Sequence, residues 1–112
     1  MSVLDTSSGK WTSGPSLAQK RAGHGLAAVG TKLYAVGGLS GQIALSSGEV
    51  LDTTKASPQW TAMPSLAQGR IDVVLAALGT KLYAVGGSSS LGTTYASVEA
   101  VSYTHLTLPT KA

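Results

Sequence analysis

Apolar residues along this chain fall in short runs, each closed by glycine, proline or a polar turn residue. Residues 26–29, Leu-Ala-Ala-Val, stop at Gly30-Thr31, and residues 33–36, Leu-Tyr-Ala-Val, follow at once. Two residues between strand-like runs, glycine first, mark a hairpin. Gly37-Gly38 closes the second run. Residues 49–51 predict a third strand, and residues 59–63 a fourth that ends at Pro64. Helices are disfavoured, because the runs are short, partly β-branched or aromatic, and interrupted at close intervals. Residues 33–36 show no polar alternation, the pattern of a strand covered on both faces.

The pattern then repeats. Residues 11–38 read WTSGPSLAQKRAGHGLAAVGTKLYAVGG, and residues 60–87 read WTAMPSLAQGRIDVVLAALGTKLYAVGG. Shifted by 49, they agree at 20 of 28 positions. Trp11 maps to Trp60, Arg21 to Arg70, Tyr34 to Tyr83, and Gly37-Gly38 to Gly86-Gly87. Ser2-Val3-Leu4-Asp5 precedes Trp11 as Glu49-Val50-Leu51-Asp52 precedes Trp60. The two-residue difference in the Asp-to-Trp spacing falls in a polar connector that tolerates insertion. Four strands repeating every 40–50 residues or so describe a propeller blade.

Arg21-Ala-Gly-His24, Leu33-Tyr34-Ala-Val-Gly37-Gly38, Glu49-Val50-Leu51-Asp52 and Trp60 together resemble the kelch repeat. Arg70, Tyr83, Gly86-Gly87 and the Glu99 region repeat the resemblance, which covers residues 2–101. It implies an all-β fold of four-stranded antiparallel blades, a partial β-propeller. Residues 2–20 are expected to be outer strands of a preceding blade with a connector. Residues 21–63 are expected to be a complete blade, and residues 64–101 a second, incomplete one. Trp11, Tyr34, Trp60 and Tyr83 are the expected packing aromatics. The glycine doublets are expected where backbones approach closely. Residues 102–112 break the repeat. They read either as a non-native tail or as a divergent strand with Leu106 and Leu108 alternating. Met1 reads as an internal methionine of a longer chain, whose other blades, or further copies of this one, would complete the propeller.

Composition narrows the functions. Of 112 residues, 43% are hydrophobic and 12% charged, which argues for a packed structure against disorder. The net charge of +3 comes from scattered Lys and Arg, with only Lys20-Arg21 adjacent. No basic cluster marks a nucleic-acid site, and no run reaches the length of a membrane span. There is no cysteine, hence no disulfide, thiolate ligand or compartment signature. The first residues lack the basic and apolar regions of a signal peptide.

No catalytic constellation stands out. His24 belongs to one copy only and has no partner at a recognisable spacing, so a structural role is expected. His105 lies in the tail, and two such histidines make a poor metal site. No cofactor is expected; Gly23 to Gly30 misses the spacing of a dinucleotide fingerprint. Asp5, Glu49, Asp52 and Glu99 follow the repeat and read as structural. The resemblance implies binding at one mouth of the propeller, through loops after the glycine doublets and near the repeat arginine. The candidate binding residues are therefore Ser40, Gln42, Ser88, Ser89 and Ser90, with Asp72, which is unique to its copy, and Arg21 and Arg70. For the arginines a loop anchor or buried ion pair is the stronger expectation. Neutral hydrogen-bonding loops suit a protein or peptide partner, or a carbohydrate. The resemblance leaves three functions open: a binding module, part of a carbohydrate-active propeller similar to sialic-acid mutarotases, or purely structural blades. Galactose oxidase chemistry is excluded by the missing cysteine.

Overall fold

The structure, a computed structural model, describes residues 1–102. Every regular element in that span is a β-strand. The chain opens with a ribbon of β1 (Ser2–Asp5) and β2 (Lys10–Ser13). Next come β3 (Gly25–Val29), β4 (Lys32–Val36), the small hairpin β5 (Leu39–Ser40) and β6 (Ile43–Ala44), β7 (Gly48–Asp52) and β8 (Trp60–Met63). The last three are β9 (Val74–Leu78), β10 (Lys81–Val85) and β11 (Val98–Ser102). Strands β3-β4-β7-β8 form a four-stranded antiparallel sheet, here blade one. Strands β9-β10-β11 form a three-stranded antiparallel sheet, blade two. The fold is all-β, with the strand order of kelch-type blades. Strand β11 runs one residue past the end of the repeat, and the rest of the tail, with His105, Leu106 and Leu108, lies outside the described residues.

The turns follow from the residues in them. Val29 pairs with Lys32 and Leu78 with Lys81, leaving Gly30-Thr31 and Gly79-Thr80 as two-residue connections. Both glycines have positive φ, 57° and 62°, and neither threonine does, which is the type II′ pattern that suits strand twist. The β5–β6 hairpin uses the same chemistry at Gly41-Gln42, with Ser40 opposite Ile43. Residues 39–42 read as plain loop in the sequence because each flanking strand is only two residues long. The turn after β7 is held by Asp52, whose Oδ1 accepts bonds from the Thr54 amide and hydroxyl. Asp5 does the same with Ser7 after β1. The Thr54 hydroxyl and amide, with Lys32 at 3.0 Å, hold the Asp52 carboxyl well below the usual range.

The two blades stack face to face. Tyr34, Val36, Val50 and Met63 of blade one are buried against Leu82 of blade two, with Ala27, Val29, Leu66, Leu75 and Val101 around them. Leu33 and Ala35 point to the opposite face of blade one, which accounts for the missing alternation in β4. Trp60 is half-buried, and its Nε1 donates to the Pro15 carbonyl at 3.1 Å. Trp11 departs from the packing role expected of it. It is 65% exposed, because β1–β2 has no inner strands beside it among the described residues.

The inner strands β3 and β9 pass close together. A Cβ on Gly25 would lie 2.9 Å from Leu75 Cβ and 3.2 Å from the Val73 carbonyl oxygen. Gly25→Ala should therefore push the blades apart and cost about 1–3 kcal/mol, an overpacking penalty. Urea denaturation checks this, with an unchanged midpoint counting against so close an approach.

Candidate functional site

Each of the two repeat arginines bonds several backbone and side-chain groups at once. Arg21 donates from Nη1 to the carbonyls of Gly37 (3.0 Å) and Ser47 (2.8 Å), and from Nη2 to Ser47 Oγ and Glu49 Oε2. Arg70 repeats this in blade two, from Nη1 to Gly86 (2.8 Å) and Ser97 (3.0 Å), and from Nη2 to Ser97 Oγ. Its Nε and Nη2 both reach Glu99. Both side chains are 1% exposed. A planar guanidinium with five donors can meet carbonyls and a carboxylate at once, which an ammonium cannot do in this geometry. Arg70 also stands 5.1 Å from the centre of the Tyr95 ring, a cation–π contact.

The glutamates complete the clip. Glu49 accepts from the amides of Ala18 (2.8 Å) and Gln19 (3.1 Å), and Glu99 from the Ala67 amide. Each carboxylate thus fastens the connector that leads into its blade. Burial raises the Glu49 pKa most as a single influence. The Ala18 amide, Arg21 and the Gln19 amide together outweigh it and leave the carboxyl below its ordinary value. A depressed folded pKa stabilises above the unfolded value of 4.5, and that stability is lost as pH falls through the folded value. Stability measured against pH should fall on acidification below about 4.5 in the wild type. In Glu49→Gln it should be lower at neutral pH and flatter through that window, and an unaltered slope would contradict the assignment.

The clip sets the loops. Gly37 and Gly38 have φ of 73° and 99°, which turns the Gly38 amide toward the Arg70 carbonyl at 2.7 Å. A Cβ on Gly37 would sit 2.7 Å from that same oxygen, so the doublet is needed for the approach. The chain then enters the β5–β6 hairpin in blade one and the turn of residues 88–94 in blade two. Isolated bridges join Ala22 to Leu39 and Ile71 to Ser88. The Asp72 amide donates to the Gly23 carbonyl at 2.6 Å. All the candidate loops therefore gather at one end of the blades.

Within that end the expected binding residues divide. Arg21 and Arg70 are inside the blades, where they hold loops and present no surface to a ligand. Ser40 Oγ accepts from Gln19 Nε2 at 2.8 Å, and Ser89 Oγ accepts from the amides of Leu91 and Thr93. Ser88 carries two backbone bridges, to Ile71 and to Thr94. Gln42 and Ser90 are exposed at the loop tips. Asp72 is exposed too, but its φ of 57° explains its type differently. It stands where the first copy has Gly23, also at positive φ, and aspartate tolerates that conformation better than most residues. His24 packs its Cβ against Gly38, and its buried Nδ1 has no hydrogen-bond partner.

Two residues here are not among the candidates expected from sequence. Ile43 and Leu91, at the tips of the corresponding loops, are 66% and 92% exposed. Ile43 follows the Gly41-Gln42 turn and Leu91 lies within the turn from Ser89 to Gly92, and no sequence pattern marks either.

A four-stranded antiparallel blade with an arginine clip and a glycine doublet defines the class: a repeating β-blade of the propeller type. The family model described as Kelch motif matches residues 20–67, from the residue before Arg21 to the connector past β8. The chain thus carries a kelch motif, and its second blade repeats the clip. No curated protein matches the chain.

Proposed function

We propose that this chain is a protein- or peptide-binding module that works through the loops at the clipped end of its blades. Kelch motifs commonly serve protein binding. The observation that carries the reading is the pair Ile43 and Leu91. Single exposed aliphatic residues are ordinary, but here one tops each of two corresponding loops, beside the neutral groups of Gln42 and Ser90. Charge-depleted, apolar centres with polar rims suit protein partners. Asp72 is the one carboxylate in these loops, and its geometry belongs to the junction between blades. The loops are held by buried clips, so little ordering entropy is lost on binding.

Panning a displayed peptide library against the immobilised chain tests this. Selected peptides should bind the Ile43→Ser/Leu91→Ser variant about tenfold or more weakly by calorimetry, since burying one such side chain contributes roughly 1.5–3 kcal/mol. Peptide affinity unchanged in the variant, or glycan-array binding with no peptide selected, would overturn the reading.

A further inference from the structure

Among the described residues, the interface between the two blades exists once filled and once as two separate, unfilled halves. In the filled copy, Ala27, Val29, Tyr34 and Val36 of blade one meet Leu75 and Leu82 of blade two, with Leu66 beside them. A shift of 49 carries the first set to Ala76, Leu78, Tyr83 and Val85, on the far face of blade two. Three of these four are the same residue type, and Leu replaces Val at the fourth. Leu78 there is 73% exposed. The reverse shift carries Leu75, Leu82 and Leu66 to Leu26, Leu33 and Leu17, identical in type. Those three, with Ala35 and Trp60, line a groove of about 690 Å³ on the far face of blade one, where Leu26 is 57% exposed. The chain therefore shows a plug on one side and its socket on the other, built from the side chains that already mate inside it.

We propose that a second copy of this chain seats its blade two in this groove, head to tail. Whatever the loops bind, this contact uses other faces. By the repeat, the incoming β11 claims the place of β1 in the receiving copy, and β1 is the strand that yields. All its residues are exposed, and Ser2 stands where β7 and β11 carry Glu49 and Glu99, so no arginine clips it. Strand β2 remains to pair the outer edge of β11, with Trp11 opposite Val101 as Trp60 is opposite Leu51. Such a contact is heterologous, so repeated addition closes a ring when the rotation allows. Propellers of four to eight blades correspond to about two to four copies of a two-blade chain.

Light scattering coupled to size exclusion tests this on the full chain. The wild type should run as a discrete particle of about two to four copies. Leu26→Glu blocks the socket and Leu78→Glu blocks the plug. Both residues are largely exposed in a single chain, so each variant should keep the β-sheet circular dichroism of a folded protein and run as a monomer. Mixing the two variants should give a two-chain particle and nothing larger, since one intact plug meets one intact socket. A monomeric wild type, as expected if another blade of a longer chain fills the groove, would overturn the proposal. So would variants that keep the wild-type mass, or a mixture that stays monomeric.

Discussion

One residue type, arginine at the entry of each blade, holds the rest of the structure in place. Arg70 shows how. Its backbone bonds to blade one, where its carbonyl accepts from Gly38 and its amide donates to Leu45. Its side chain bonds to blade two, at Gly86, Ser97 and Glu99. A buried ion pair by itself is weak evidence for stability, because desolvation offsets the Coulomb attraction. Here the same guanidinium also bonds two part-buried carbonyls, those of Gly86 and Ser97, and a backbone carbonyl taken out of water without a partner is costly. The clip is therefore better seen as the partner of the first doublet glycine's carbonyl, sharing the Ser47 or Ser97 carbonyl with that glycine's own amide.

The other features depend on that arrangement. The doublet must be glycine, since side chains there would strike the Arg70 carbonyl or strain the backbone. Once the doublet is fixed, the chain leaves each second strand in one direction, and the loops that follow meet the connectors at one end. Among the described residues, the opposite end carries the two-residue Gly-Thr turns and the connections after β1 and β7 that Asp5 and Asp52 hold. A division results: one end has the two-residue hairpin turns, and the other bears the loops after the glycine doublets, fastened by the clips. That division favours binding at the clipped end.

The repeat makes most of the fold legible in the residues themselves. Strands β3, β4, β7 and β8 lie within a residue of the runs marked by apolar pattern and glycine breaks. Their pairing order follows from the hairpin signal and the repeat period. What stays hidden depends on three-dimensional contacts. The roles of Ser47 and Ser97 are invisible, because nothing in a serine-rich stretch marks which carbonyl an arginine will reach. Asp72 resembles a ligand residue because it breaks the repeat, yet it answers a backbone requirement that glycine meets in the other copy. Trp11 should be buried by analogy with its half-buried twin, but burial belongs to a neighbouring sheet as much as to the residue. Ile43 and Leu91 escape notice because a lone aliphatic residue in a loop carries no pattern.

The central claim is that the arginine and glutamate act as one clip, bonded together and to the backbone. A double-mutant cycle on the second clip tests it most directly, comparing Arg70→Met, Glu99→Gln and the combined variant by chemical denaturation. The account predicts a coupling above about 0.5 kcal/mol, within the range of about 0.5–3 kcal/mol for residues in one network. Losses that simply add, within about 0.5 kcal/mol, would show two independent residues and contradict it.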